Sequence, residues 1–239
     1  MTAQIVSYEL GRHNHDLAKS TARVIQGGSW KKQRTIVILP SASMIPAKVA
    51  LSHWNLAFAP NNGVIRMLAL GMEVGDAYSQ CIEQIIANPE LSTWEYILTL
   101  EHDNIPPPDG VVKLIERMEQ HPEFACIGGL YWTKGEGGVP QIWGDPNDPV
   151  LNFRPMPPRA GELVECCGTG MGFNLWRISM FKDERLRRPW FKTLNGKDGV
   201  GLGTQDLYFW GDARKYGYRC AIDCSVLVGH YDVANDTSW

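Results

Sequence analysis

Apolar positions along the chain form short continuous runs that alternate with longer stretches in which apolar residues recur every three or four positions. Residues 35–39 (TIVIL) form a β-branched run that ends at Pro40, which is typical of a fully buried parallel strand. Gly110–Gln120 follows the cap residue Asp109 and carries apolar residues on one face, which predicts an amphipathic helix. Similar patterns predict further strands at 63–70, 94–100, 124–128, 162–167, 171–176 and 219–228, and further helices at 16–26, 47–58, 76–87, 179–184 and 206–216.

The alternation of strand and helix from residue 35 onward determines the predicted fold class. We expect an α/β fold with a mixed, mostly parallel sheet that is flanked by helices. Residues 133–161 are rich in Gly, Pro, Asp and Asn, and they predict long loops with short strands. Because no linker divides the chain, we expect an N-terminal extension over residues 1–33 and a single domain over residues 34–239.

Composition narrows the class of protein. The 239 residues carry a formal net charge of -3 and are 44% hydrophobic, the profile of an ordinary globular protein without a basic nucleic-acid surface. No apolar run approaches the roughly 18 residues that a membrane-spanning helix needs, and residues 1–10 lack the apolar core of a signal peptide. The six cysteines form no CxxC pair, which favours reduced, buried thiols. We therefore expect a soluble, cytoplasmic protein.

Two acidic residues stand directly after the predicted strand 94–100. In open α/β sheets, ligands bind beyond the carboxyl ends of the strands, and alternate residues of an extended segment point the same way. Glu101 and Asp103 therefore present two oxygen ligands that suit Mg²⁺ or Mn²⁺, and through the metal a diphosphate. The alternative is structural: Asp103 caps the turn before the following prolines, and Glu101 is solvated.

Two further residues each have a chemical and a structural interpretation. Asp206 begins the predicted helix 206–216, where it serves either as a general base towards a hydroxyl or as a first-turn residue favoured by the helix dipole. His230 follows the predicted strand 219–228 and is either a metal ligand or an ordinary polar residue at a strand end. Residue types alone leave both alternatives open.

Six segments, taken in order, resemble those of the GT-A glycosyltransferases, especially the family 2-like group of bacteria, archaea and phages. They are TIVILPS, YILTLEHDNIPPPDGVVKLIERM at the position of the DxD motif, IGGLYWTK, GTGMGFNLWRISMF, GTQDLYFWGDARKYGY at the position of the acidic (E)D motif, and VGHYD. The resemblance covers residues 35–232. It implies a GT-A fold and the transfer of a sugar from a nucleotide-sugar donor to an acceptor hydroxyl, with inversion.

The resemblance also implies roles for individual residues. Asp206 matches the catalytic base. Asp103 and His230 match ligands of a Mn²⁺ or Mg²⁺ cofactor, and Glu101 matches the first acid of the motif, at the metal or the donor ribose. The donor-binding residues would be Pro40, Ser41, Ala42, Glu101 and His102, and the acceptor side would comprise Gly168, Thr169, Gly170 and Trp190. The expected partners are a UDP- or GDP-sugar and a glycan or other hydroxyl acceptor.

Trp190 also has a structural interpretation. It lies in a glycine-containing loop over residues 186–202. An aromatic face stacks well on a sugar, but an aromatic side chain can equally pack beneath a long loop. The sequence does not decide between these roles.

The sequence departs from the family pattern in three places. Glu101 replaces the first Asp of DxD, Gln205 stands where many members have Glu, and residues 77–79 read AYS rather than Ala-Arg-Asn. Gln205 keeps open a second hypothesis, a non-catalytic module that binds a nucleotide or glycan. A third, a nucleotidyltransferase, requires a glycine-rich basic loop after the first strand, and residues 40–44 (PSASM) do not provide one.

Overall fold

The computed structural model describes residues 33–58, 63–195 and 201–239. The helix predicted at residues 16–26 lies outside them, and the division into an extension and one domain stays a prediction. The strands are β1 (Thr35–Ser41), β2 (Val64–Leu70), β3 (Tyr96–Leu100), β4 (Asn104–Ile105), β5 (Cys126–Leu130), β6 (Ile142–Trp143), β7 (Leu163–Cys166), β8 (Gly168–Thr169), β9 (Phe173–Arg177), β10 (Leu194–Asn195), β11 (Gly201–Gly203), β12 (Cys220–Leu227), β13 (Gly229–Asp232) and β14 (Thr237–Ser238). The α-helices are α1 (Ala47–Trp54), α2 (Val74–Ala87), α3 (Gly110–Gln120) and α4 (Gln205–Ala213), and 3₁₀ helices span Leu91–Thr93, Ile178–Lys182 and Arg214–Tyr216.

A seven-stranded sheet with the order β2-β1-β3-β9-β5-β12-β7 forms the centre of the protein. β1 pairs in parallel with β2 and β3, and β5 pairs in parallel with β12. β9 runs antiparallel to both of its neighbours, and β7 runs antiparallel to β12. β1, β2, β3, β5 and β12 therefore share one direction, which confirms the predicted mixed, mostly parallel sheet.

Helices cover both faces of the sheet, because alternate residues of a strand point to opposite sides. In β1, Ile38 packs in one core with residues of α2 and α4, whereas Leu39 packs in the other core with residues of α3. In the first core, the indole of Trp176 from β9 stacks on that of Trp210 from α4, with ring centroids 5.4 Å apart and planes 19° from parallel. This stack holds α4, which carries Asp206, against the centre of the sheet.

Several predicted boundaries are wrong, and the predicted helix 47–58 ends already at Trp54. β1 continues through Pro40, which lies beyond Ile38, the last residue that pairs with β3, so the missing N–H of proline loses no bond on that side. The segment predicted as a helix at 179–184 is a 3₁₀ helix, the form that short helical pieces often adopt. α4 ends at Ala213, and a 3₁₀ turn completes the predicted segment up to Gly217, whose φ of 82° stops the helix.

In the part of the chain that the structure describes, every helix is too short or too polar to span a bilayer.

α1 is tied to the end of the sheet through a buried imidazole. Nε2 of His53 donates to the carbonyl oxygen of Asn104 in β4 at 3.0 Å. Burial lowers the pKa of His53 from 6.5 to about 4, because the hydrogen bond to Asn104 only partly offsets the loss of hydration. His53 is therefore neutral in the folded protein at neutral pH.

This burial predicts acid sensitivity. Below pH 6.5 the imidazole of His53 binds a proton in the unfolded chain but stays neutral in the folded protein. The free energy of unfolding therefore decreases as the pH falls from 6.5 to about 4. We expect the free energy of unfolding of the wild type to drop by roughly 1 kcal/mol per pH unit in this window relative to His53→Gln, whose amide can donate without titrating. Urea unfolding at pH 7, 5.5 and 4.5 measures it. Equal pH dependence in both proteins would refute the prediction, and His121→Gln, at the end of α3, is the control.

Candidate active site

A short antiparallel pairing brings the end of the chain to the end of β3. Asn104 of β4 pairs with His230 of β13. The backbone N–H of Tyr231 donates to the carbonyl oxygen of Asp103 at 2.7 Å. These backbone contacts place the side chains of Asp103 and His230 together beyond the carboxyl end of β3.

The carboxylate of Asp103 and the imidazole of His230 face each other across this pairing. Oδ2 of Asp103 lies 3.4 Å from Nε2 of His230. Nδ1 of His230 donates to the carbonyl oxygen of Trp132 at 2.8 Å, because a carbonyl can only accept. The ring of Tyr131 packs edge-on against the imidazole, with centroids 5.7 Å apart. With Nδ1 held by Trp132, Nε2 of His230 faces the carboxylate of Asp103, and a cation that replaced the proton on Nε2 would lie beside both groups.

Lys134 contacts the same carboxylate. Its Nζ lies 2.5 Å from Oδ2 of Asp103. Burial opposes ionisation of Asp103, but hydrogen bonds from His230 and Lys134, together with their charges, outweigh it and hold the pKa of Asp103 well below its usual range. Asp103 is thus ionised at any physiological pH.

Asp103 and His230 fit a divalent cation. A carboxylate oxygen and an imidazole whose other nitrogen is fixed by a backbone carbonyl are common metal ligands, and the nitrogen ligand suits Mn²⁺ better than Mg²⁺. Among the described residues, no group of three or more His, Cys, Asp and Glu side chains is arranged to hold a metal ion. A cation held here would therefore take its remaining ligands from water or from a bound anion.

Glu101 differs from Asp103 in its proton affinity. Loss of hydration, and next the charges of Asp103 and Asp206, raise the pKa of Glu101 from 4.5 to about 8. At neutral pH and without a nearby cation, Glu101 is therefore mostly protonated and able to donate a hydrogen bond. The two acids of the predicted metal motif thus have opposite protonation states.

Asp206 lies in the first turn of α4 and is 7% exposed. Its Oδ1 accepts from the backbone N–H of Leu207 at 2.8 Å. Burial raises the pKa of Asp206, and hydrogen bonds from Thr204 and Leu207 offset this only in part. Because the charges of Asp103 and Asp206 both raise the pKa of Glu101, the three carboxyl groups lie within electrostatic range of one another. We call the region around these three groups the cleft. The structure therefore brings Asp103, His230, Glu101 and Asp206 into one region.

The predicted donor segment lies at the same edge of the sheet. Pro40 and Ser41 are the last two residues of β1, and Ala42 follows them as an exposed residue. Oγ of Ser41 donates to the carbonyl oxygen of Met44 at 3.2 Å, so this hydroxyl stabilises its own loop. His102 lies near α1, where its charge helps to lower the pKa of His53. Contact of these residues with a nucleoside stays a prediction.

The N-terminus of α2 carries a carboxylate of the chain itself. The helix begins at Val74, two residues before the predicted start, because Glu73 caps it. Oε2 of Glu73 accepts from the backbone N–H groups of Gly75 at 2.8 Å and Asp76 at 3.0 Å, and Oε1 accepts from the hydroxyl of Thr193 at 2.7 Å. Helix N-termini are favoured positions for phosphate, and here Glu73 takes that position. The phosphates of a donor would therefore depend on the Asp103 side of the cleft.

The arrangement of strands and helices is similar to that in a solved structure. The crystal structure of A197 from STIV, a viral protein, superposes with a TM-score of 0.60 over 84% of this chain and 86% of that chain, at 14% sequence identity. This protein thus has a glycosyltransferase-like fold. The profiles of known protein families and the sequences of curated proteins give no match. The likeness establishes the predicted fold class and leaves the activity to be argued from the site.

Most of the predicted acceptor side lies against α4. Gly168 and Thr169 form β8, which pairs with β6, and a side chain added at Gly168 would meet Leu207 and Trp210 of α4 at 3.2 Å. A Cβ at Gly170 would lie 2.3 Å from the hydroxyl of Tyr131. All three residues are buried between α4 and Tyr131, and their contact with an acceptor stays a prediction.

Trp190 lies in the core rather than on the cleft wall. It is 1% exposed, packs edge-on against Phe181 with centroids 5.7 Å apart, and lies beneath the guanidinium of Arg188 at 4.6 Å. Its ring faces are covered by the protein itself. Packing under the loop, the structural interpretation of this tryptophan, accounts for its position, and the assignment to the acceptor side is not supported.

Three residues of this site lie in the quoted segment IGGLYWTK, but the sequence-based prediction did not assign them to the metal site. They are Tyr131, which packs on His230; Trp132, whose carbonyl oxygen accepts from Nδ1 of His230; and Lys134, which contacts Asp103. All three follow β5 directly, at the same carboxyl edge as Asp103. Residues that follow a parallel strand are candidates for a site at that edge, and this signal could have identified them.

The close approach at Gly172 predicts a sensitive position. A Cβ there would lie 2.6 Å from Oδ1 of Asn104 and 2.7 Å from Cζ of Tyr131. Because backbone or ring atoms must shift, we expect Gly172→Ala to reduce the free energy of unfolding by about 1–3 kcal/mol. Urea unfolding measures the change.

Gly211→Ala provides the matched control. Its added Cβ meets only Cε2 of Phe153, at 4.0 Å, in the middle of α4. Alanine is the better helix former, so this variant should gain about 0.5–1 kcal/mol. Equal stability of the two variants would contradict the packing argument at Gly172.

Proposed function

We propose that this protein is a metal-dependent glycosyltransferase that moves a sugar from a nucleotide-sugar donor to an acceptor hydroxyl. The observation that carries the proposal is the contact of Asp103 with His230 at the carboxyl edge of a glycosyltransferase-like sheet, with Asp206 within electrostatic range of the neighbouring Glu101. Ligands of open α/β sheets bind at this edge. The proposed donor is a UDP- or GDP-sugar, and the proposed acceptor is a glycan or another hydroxyl compound.

Asp103 and His230 would hold Mn²⁺ or Mg²⁺. Such a cation, when bound, supplies positive charge that stabilises the departing nucleoside diphosphate. The low pKa of Asp103 keeps this ligand ionised, and the carbonyl of Trp132 keeps Nε2 of His230 directed at the same point. The protonated Glu101 is a hydrogen-bond donor for an oxygen of the ribose or the diphosphate.

Asp206 would act as the general base. The acceptor oxygen attacks the sugar carbon from the face opposite the diphosphate, the carbon–oxygen bond to the diphosphate breaks, and the acceptor proton passes to Asp206. Burial raises the pKa of Asp206 and so strengthens it as a base. One displacement of this kind inverts the configuration of the sugar carbon.

Asp206→Asn tests the base. The variant retains the shape of the side chain but accepts no proton, so the rate of transfer should fall by about 10²–10⁴ while nucleotide affinity stays within about two-fold of the wild type. Transfer is measured as release of nucleoside diphosphate and binding by calorimetry. Transfer at a near wild-type rate would exclude this role.

Asp212→Asn is the matched control for that experiment. Asp212 lies in the same helix and is 6% exposed, close to the 7% of Asp206, but its Oδ2 accepts from the backbone N–H of Arg187. Loss of stability without loss of transfer is the result expected for Asp212→Asn. If both variants lose transfer equally, then the loss reflects damage to α4.

Asp103→Asn tests the cation. In wild type, UDP- or GDP-sugars should raise the thermal midpoint only when Mn²⁺ is present, since a ligand at about 100 times its Kd adds roughly 2.7 kcal/mol of stability. The variant should lose this metal-dependent shift. A shift without Mn²⁺, or an unchanged shift in Asp103→Asn, would contradict the metal site. Metal-dependent binding without any turnover in wild type would instead support the non-catalytic binding module.

A further inference from the structure

Lys134 and His230 contact the same oxygen of Asp103. Nζ of Lys134 lies 2.5 Å from Oδ2, and Nε2 of His230 lies 3.4 Å from it. The side chains of Asp103 and His230 are 16% and 17% exposed, whereas that of Lys134 is 34% exposed. The ammonium group therefore reaches a largely enclosed acid from the solvent side, and its charge lies where a cation held by Asp103 and His230 would have to be.

Lys134 is held on a compact loop between β5 and β6. The backbone N–H of Thr133 donates to the carbonyl of Val139 at 2.9 Å, and the N–H of Val139 donates to Oγ1 of Thr133 at 2.9 Å. These bonds fix the base of the loop and leave the side chain of Lys134 at its margin. The hydrogen bond from Asn235 is the main cause of the lowered pKa of Asp232 in β13, and the charge of Lys134 adds to it, so a second acid lies within electrostatic range of Lys134.

We propose that Lys134 is the resident cation of the metal-free site, that a divalent cation displaces it from Asp103, and that it then binds the diphosphate of the nucleotide. The proposal rests on the proposed function, because it assumes the same metal and nucleotide site. The proposal adds that Lys134 lowers the affinity for the metal alone and raises the affinity for the nucleotide when the metal is bound.

Electrostatic repulsion explains why Lys134 would move from Asp103 to the diphosphate. A divalent cation and an ammonium group cannot both lie against one carboxylate oxygen without strong repulsion, which is largest where water is partly excluded. The metal must therefore replace Lys134, and the displaced ammonium group remains within a side-chain length of the metal. A diphosphate bound to that metal brings two or more negative charges to this position, and an ammonium group is a common phosphate ligand. Lys134 thus weakens binding of the divalent cation and strengthens binding of the diphosphate.

Mn²⁺ titration of the full chain, followed by the electron paramagnetic resonance signal of free Mn²⁺, tests the first half. Without nucleotide, Lys134→Met should bind Mn²⁺ about five-fold more tightly than wild type, because the competing charge is gone and the apolar stem remains. Lys134→Arg keeps the charge and should stay close to wild type. Mn²⁺ affinity that is equal in wild type and Lys134→Met would overturn the proposal.

Calorimetric titration with UDP and with GDP at saturating Mn²⁺ tests the second half. Lys134→Met should bind the nucleoside diphosphate about five-fold more weakly than wild type, and Lys134→Arg should recover most of the affinity. Opposite changes in metal and nucleotide affinity cannot come from general damage to the fold, which would weaken both. Unchanged nucleotide affinity in Lys134→Met would overturn the transfer of Lys134 to the diphosphate.

Two further variants separate this proposal from the proposed function. Lys48→Met removes a matched ion pair, since Nζ of Lys48 lies 2.5 Å from Asp236 and its side chain is 30% exposed, and it should alter neither affinity. Asp103→Asn should abolish Mn²⁺ binding. If Asp103→Asn loses Mn²⁺ binding but Lys134→Met binds Mn²⁺ with wild-type affinity, then the proposed metal site is supported and the proposed role of Lys134 is wrong. If neither wild type nor Lys134→Met binds Mn²⁺, then the metal-dependent function falls together with this inference.

Discussion

The two-residue pairing of β4 with β13 is the contact on which the whole site depends. It joins the segment after β3 to the segment after β12, although β9 and β5 separate these two strands in the sheet. The N–H of Tyr231 on the carbonyl of Asp103 extends the same contact by one bond. Without these backbone bonds, Asp103 and His230 would lie on separate loops, and their side chains would not contact each other.

The three acids of the cleft differ in pKa because their burial and their charged neighbours differ. Asp103 is kept ionised by His230 and Lys134. Burial and the charges of Asp103 and Asp206 outweigh the charge of Lys134 at Glu101, which therefore retains its proton to about pH 8. Asp206 lies between these cases, buried but hydrogen-bonded by backbone and Thr204. The proposed transfer would use these differences: Asp103 as an ionised ligand, Glu101 as a proton donor and Asp206 as a base.

Local structure was predictable where a periodic pattern extended over a whole element. The bounds of α3 agree with the prediction at both ends, because apolar spacing, Asp109 and the polar end of the helix all coincide. The sequence could not show that β9 inserts antiparallel between β3 and β5, since its apolar run fits either direction. It also could not show that Glu73 caps α2, because its carboxylate folds back onto the helix from outside the periodic pattern.

The site was predictable in part for the same reason. Asp103 and Glu101 follow a clear strand, so their place at the sheet edge came from elementary topology. The burial of Trp190 depends on long-range packing beneath a loop, for which a single sequence contains no periodic signal. Residues that follow strands were therefore located well, and residues on long loops were not.

The parallel indoles of Trp176 and Trp210 give the protein a built-in optical reporter. Two chromophores with centroids 5.4 Å apart couple their electronic transitions, and the resulting near-ultraviolet circular dichroism depends on the angle between them. Trp210 stands four residues after Asp206, one turn along α4. Any rotation of α4 that re-aims Asp206 must also change this angle, so rearrangement of the base can be followed by spectroscopy without a label.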